Sequence, residues 1–119
     1  MGESIKALVE RLIRKTVFTF LVNDRPLCEN KVMFFGKSYC PHCKNAKSVL
    51  AAKGVQYKAY EIDLEAKGAE VQDYLQQKTG LRTVPNIFIN THHLGGNSDL
   101  IVAKESGKLD KMLGTKSEL

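Results

Sequence analysis

From Ser4 onward, Ile5, Leu8, Val9, Leu12 and Ile13 recur at i, i+3, i+4, i+7 and i+8 with charged residues between them, which predicts an amphipathic helix. The spacing can be followed through Val17, Phe20 and Leu21. The stretch 16–22 is also β-branched and aromatic enough for a strand, but the continuing period favours helix. Residues 23–30, with Pro26 and several charges, read as a loop. A short buried strand over 31–35 is stopped by Gly36, and a helix from about Pro41 carries Ala46, Val49 and Leu50 before Gly54 closes it. Residues 57–62 form a second predicted strand, 71–78 a helix ended near Gly80, 86–90 a third strand and 92–94 a fourth. Asn97, Ser98 and Asp99 look like a helix start, with a terminal helical region over 100–105 and 109–113.

Strand, helix, strand, then helix and two closely spaced strands, then helix, describe an α/β chain. The first crossover demands parallel strands, and the short gap between the last two permits only a hairpin. The expected fold is therefore thioredoxin-like: a four-stranded mixed β-sheet flanked by helices on both faces. A length of 119 residues suits a single compact domain. Residues 1–30 are expected to be an N-terminal amphipathic helix and extended link packing on the core, and 31–119 the main domain.

Hydrophobic residues at 43% and charged residues at 26% sit near globular averages and exclude a disordered chain. The longest nearly unbroken apolar stretch, 17–22, is far short of a membrane span. Glu3 and Glu10 also disfavour a secretory signal. A net charge of +5 suits anionic small ligands or acidic partner faces. No nucleic-acid-binding motif accompanies it, so neither nucleic acid nor membrane is an expected partner. Three cysteines cannot all pair within one chain, which points to a reducing, cytoplasmic setting and to cysteine chemistry of a catalytic or metal-binding kind.

Cys40 and Cys43 stand three apart where a strand gives way to a helix, the context in which this spacing signals redox work. At a helix N-terminus the Cys40 thiolate would face unsatisfied backbone N–H groups and the positive end of the macrodipole. Lys37 and His42 are the nearest groups able to assist. Cys43, one turn further in, is expected to be more buried and to act as the resolving thiol. Structural zinc would need two more ligands, with Cys28 and three histidines available and no second paired motif, so no metal is expected. Cys28 itself reads as an incidental thiol, and His92 and His93 as exposed residues of a hairpin turn. Pro85, starting a strand beside the cysteines, is a candidate for a cis bond. Residues 95–99 (Gly-Gly-Asn-Ser-Asp) are either a tight turn with a helix cap or a carboxylate-binding helix start with Asp99 free to meet an ammonium.

Together, Cys40-Pro41-His42-Cys43, Thr83-Val84-Pro85 and Gly95-Gly96-Asn97-Ser98-Asp99-Leu100 closely resemble the dithiol members of the glutaredoxin family over about 31–113. The resemblance implies glutathione as cosubstrate. It implies that Lys37 and Gln72, helped by Arg82, meet the glycine carboxylate of glutathione. Thr83, with Val84 before a cis Pro85, would line the groove for its cysteinyl residue. Gly96, Asn97, Ser98 and Asp99 would hold the γ-glutamyl end. Glutathionylated and disulfide-bonded proteins are then the expected substrates of a monomer. The rival reading is an iron–sulfur cluster carrier, a dimer bridged through Cys40 and two glutathiones. A third, a folding oxidase, rests on His42 alone.

Overall fold

The computed structural model describes residues 4–15, 19–22, 25–28, 32–54 and 57–113. The amphipathic stripe forms α1 (Ile5–Lys15), opened by the Ser4 hydroxyl accepting from the Ala7 N–H at 3.1 Å. After it the expectation changes. Residues 19–22 are strand rather than helix and 25–28 strand rather than loop, while the rest of 16–30 lies outside the described residues: β1 (Thr19–Val22) and β2 (Arg25–Cys28) pair antiparallel as a separate two-stranded sheet. The β-branched and aromatic composition of Thr19-Phe20-Leu21-Val22 outweighs the helical period, and Pro26 is tolerated because a two-stranded ribbon has only edges. Cys28 thus stands at a strand end.

The main sheet has the order β4-β3-β5-β6, made of β3 (Val32–Gly36), β4 (Tyr57–Glu61), β5 (Asn86–Ile89) and β6 (His92–Gly95). β3 pairs parallel with β4 across α2 (Pro41–Ala52) and antiparallel with β5, and β5 pairs antiparallel with β6. α3 (Gly68–Thr79), α4 (Asn97–Ser106) and α5 (Lys108–Leu113) complete the chain. α3 begins three residues before the predicted start. A β-carbon on Gly68 would stand 1.8 Å from the Ile62 carbonyl oxygen, a closeness only glycine allows at this first turn. His92 and His93 lie in β6 rather than in a turn. Asn90 and Thr91, both at positive φ, make the two-residue connection instead.

Because both faces of the sheet are covered, its central strands β3 and β5 are buried at every position and, Asn86 apart, carry no polar side chain. Val32, Phe34, Ile87 and Ile89 pack with Ala46, Leu50, Leu100, Leu109 and Leu113 of α2, α4 and α5. Met33, Phe35 and Phe88 face the other way, onto Val9, Leu12 and Ile13 of α1 and Val71 and Leu75 of α3. Each such fully buried large side chain contributes about 1.5–3 kcal/mol. Glu10 locks α1 to α3, accepting from Tyr74 Oη at 2.7 Å and from Lys78 Nζ at 2.8 Å. The buried Asn86 is satisfied by Thr79 Oγ1 at 3.2 Å and His93 Nε2 at 2.7 Å.

Candidate functional site

The end of β3 runs directly into the cysteine turn. The Cys40 N–H donates to the Lys37 carbonyl at 3.2 Å, Cys40 takes the N-cap position of α2, and Pro41 starts the helix where its missing N–H is harmless. No side chain caps α2 and no acid lies in its first turn, so no carboxylate competes for its first-turn N–H groups beside Cys40. The turn is anchored from the far end of the crossover. Asp63, in a short 3₁₀ turn after β4, accepts from the Ser38 N–H at 2.9 Å and from the Ser38 hydroxyl. The Ser38 hydroxyl, and then its N–H, hold the Asp63 carboxyl below the usual carboxylate range. Sequence reasoning missed Asp63, since nothing local links positions 25 residues apart.

The two thiols differ as expected. Cys40 is partly exposed, its Sγ 3.9 Å from the Val84 carbonyl oxygen. Cys43 is fully buried and accepts from the Lys37 N–H at 3.5 Å. Burial pushes the Cys43 thiol up to about 12, with the Cys40 thiol and the Glu61 charge adding to the rise.

Beside Cys40 opens a groove of about 310 Å³ lined by His42, Leu81, Thr83, Val84, Pro85, Gly96, Asn97, Ser98 and Asp99. All of these except Leu81 were expected on the site; a lone leucine before the polar Arg82-Thr83 pair carries no signal of its own. The Val84–Pro85 bond is cis. At the opposite wall Gly96 is the N-cap of α4. Asp99 is not free: its Oδ2 accepts from the Gly96 N–H at 2.9 Å, so the tight turn and the helix cap coexist with the groove. Its remaining lone pairs still face a site with no other acid along its lining. Asn97 Oδ1 accepts from Asn45 Nδ2 of α2 at 3.1 Å, tying the two helix starts together.

Three of the residues expected to bind glutathione lie outside the groove lining. Lys37 sits in the turn before Cys40. Gln72 Nε2 donates to the Arg82 carbonyl at 2.7 Å, and Arg82 Nη1 donates to Asp73 Oδ1 at 2.6 Å and Gln76 Oε1 at 3.0 Å. Gln72 and Arg82 thus form one polar cluster at the approach to Thr83. Among the described residues there is no group of three or more His, Cys, Asp or Glu side chains placed to hold a metal ion, and no helix long and apolar enough to cross a membrane.

The family model described as Glutaredoxin matches residues 32–94. Glutaredoxin-1 of Rhizophagus irregularis is 49% identical over 84 residues, covering 71% of this chain and 83% of that protein. Glutaredoxin-2 of Schizosaccharomyces pombe is 43% identical over 95 residues, covering 80% and 86%. Among solved structures, wheat glutaredoxin superposes with a TM-score of 0.77 at 36% identity, over 92% of this chain and 91% of that one. A buckwheat glutaredoxin–glutathione complex gives 0.75 at 31% identity, over 92% and 89%.

Proposed function

Since this chain belongs to the glutaredoxin family of glutathione-dependent thiol–disulfide oxidoreductases, we propose that it reduces protein–glutathione mixed disulfides through Cys40 and protein disulfides through Cys40 and Cys43 together. The observation that carries the assignment of roles is the asymmetry of the sulfurs: Cys40 at the groove mouth, Cys43 buried behind it.

In the first step the Cys40 thiolate, facing the first-turn N–H groups of α2, attacks the glutathione sulfur of a mixed disulfide. The substrate thiol leaves and Cys40 is glutathionylated. A second glutathione resolves this species, or Cys43 does so by attacking Cys40 and releasing glutathione as a thiol. The groove orients the tripeptide. The Val84 backbone would pair with its cysteinyl residue, and the polar groups of Lys37, Gln72 and Arg82 would draw its glycine carboxylate. The N–H groups at the start of α4 would take the γ-glutamyl carboxylate, with Asp99 meeting the ammonium beside it. The buckwheat protein carries glutathione in a superposable fold, which supports this placement. His42, on the groove wall, is positioned to tune the Cys40 thiolate. A reducing cytoplasm and a monomeric state fit the reading.

Glutathione-coupled reduction of a small mixed disulfide tests it. Cys40→Ser is expected to abolish turnover and Cys43→Ser to preserve it, while reduction of a protein disulfide requires both. Turnover surviving Cys40→Ser would reverse the roles. A brown dimer on anaerobic purification would favour the cluster-carrier alternative, and a colourless monomer the enzyme.

A further inference from the structure

Beneath the cysteine turn, on the face of the sheet that α2 covers, one carboxylate oxygen has nothing to bind. Oε1 of Glu61 is buried without a hydrogen-bond partner among the described residues, while Oε2 pairs with Lys47 Nζ. An unsatisfied buried acceptor of this kind costs about 1–3 kcal/mol, so its retention calls for a reason.

The backbone explains where this carboxylate sits. Glu61 is opposite Gly36 in the parallel register of β3 and β4, so the two residues project on the same face, one strand spacing of about 4.8 Å apart. A β-carbon on Gly36 would lie 2.9 Å from Cys43 Sγ, which puts the buried sulfur directly over the glycine. Lys47 follows Cys43 by one turn of α2 on the same side, its Nζ 5.5 Å from the centre of the Phe34 ring. Cys43, Gly36, Glu61 and Lys47 therefore make one cluster walled by Phe34. The charged or titratable groups acting on it are Cys40, Glu61, Lys47 and Tyr57; α4 contributes apolar Leu100 and Ala103 to the same core.

That cluster meets a chemical need. With its thiol pushed up to about 12 by burial, Cys43 is held protonated at pH 7. An attack by Cys43 on glutathionylated Cys40 at neutral pH thus calls for a base within the fold.

We infer that Glu61 accepts the proton of the Cys43 thiol, its unpartnered Oε1 taking it directly or through one water as Cys43 attacks Cys40, while Lys47 holds the carboxylate in place. The inference rests on the resolving role proposed for Cys43. The step balances without an outside reactant. The Cys43 S–H bond breaks and its proton passes to Glu61. The Cys40–Cys43 disulfide forms as the bond from Cys40 to the glutathione sulfur breaks, and the departing thiolate is protonated from Glu61 or solvent. Run in reverse, protonated Glu61 returns the proton to Cys43 when glutathione reopens the internal disulfide.

The test loads Cys40 of the full chain with glutathione from its disulfide and follows release of glutathione between pH 6 and 9. In the unaltered protein the rate is expected to level off rather than climb tenfold per pH unit. Glu61→Gln should slow release at pH 7 by about ten- to a hundredfold and restore the tenfold climb, because the proton must then go to solvent. A Glu61→Gln protein, folded by circular dichroism, with the unaltered rate and profile would overturn the inference. So would a tenfold climb throughout in the unaltered protein, which needs no variant to fold. No release at all from the unaltered protein would instead remove the resolving role of Cys43, and the inference with it.

Discussion

Gly36 lies against the sulfur of Cys43 so closely that a β-carbon added to the glycine would stand 2.9 Å from Sγ and 2.6 Å from the Phe34 ring. Both neighbours are buried and neither is the loose end of a flexible chain, so a methyl group has to displace one of them. Gly36→Ala is expected to destabilise the fold by about 1–3 kcal/mol, seen as a fall in Tm of roughly 4–12 °C. An unshifted melting curve would mean that the two side chains yield without loss.

Burial of Cys43 sets a pattern of chemical labelling. With iodoacetamide at pH 7.5, Cys40 is expected to take up label while Cys43 stays at least about 100-fold slower until the chain is unfolded. Fragment ions of the single tryptic peptide 38–44, which holds both sulfurs, read this directly. Comparable labelling of both would show that Cys43 is not shielded as described.

Asp99 caps α4, and one substitution can separate that task from the one proposed for it, meeting the ammonium of glutathione. In Asp99→Asn the amide oxygen can still accept from the Gly96 N–H, so the start of α4 should hold and Tm should move by less than about 4 °C. The negative charge toward the glutathione ammonium is lost. KM for glutathione is therefore expected to rise about ten- to a hundredfold in the coupled assay, the range for one charge-assisted hydrogen bond. Equal losses of stability and affinity would assign Asp99 to the cap alone.

The α1–α3 lock has its own pH signature. Hydrogen bonds from Lys78 and Tyr74 hold the Glu10 carboxyl below its ordinary value, and the same contact pushes the Tyr74 hydroxyl up to about 12. A depressed acid contributes stability above its unfolded pKa and loses it as pH falls through the folded one. Replacing Glu10 with Gln should thus remove about 0.5–1 kcal/mol at pH 7, with the difference shrinking below about pH 4.5. For Tyr74 the sign is opposite: its share is complete below about pH 10 and fades as pH rises toward 12. Urea unfolding of both proteins at pH 3, 7 and 11 checks the two limbs.

Much of this was readable in the chain. The runs Val32-Met33-Phe34-Phe35 and Asn86-Ile87-Phe88-Ile89 announce strands buried on both faces, and the glycines at 54, 80 and 107 end helices where they stand. The segments 83–85 and 96–99, marked out by their motifs, line one groove with His42, and Cys40 Sγ lies 3.9 Å from the carbonyl oxygen of Val84 on its wall. What escaped was long-range. In Thr19–Val22 the helical period and the β-branched composition disagreed, and pairing with Arg25–Cys28 decided for strand. Asp63 and Glu61 look like ordinary surface acids until β4 is laid beside β3. Gln72 and Arg82 look like free ligands until the fold brings them onto each other and onto Asp73 and Gln76.

The match to the family model begins at Val32, after α1 has ended. Yet Val9, Leu12 and Ile13 form the lid over Met33, Phe35 and Phe88, behind the strand that delivers Cys40. A protein cut back to Val32 would keep every group that handles thiols while baring an oily underside. It should clump or borrow a surrogate helix from a neighbour, so the opening eleven-residue helix serves as the solubilising shield of the chemistry on the far side of the sheet.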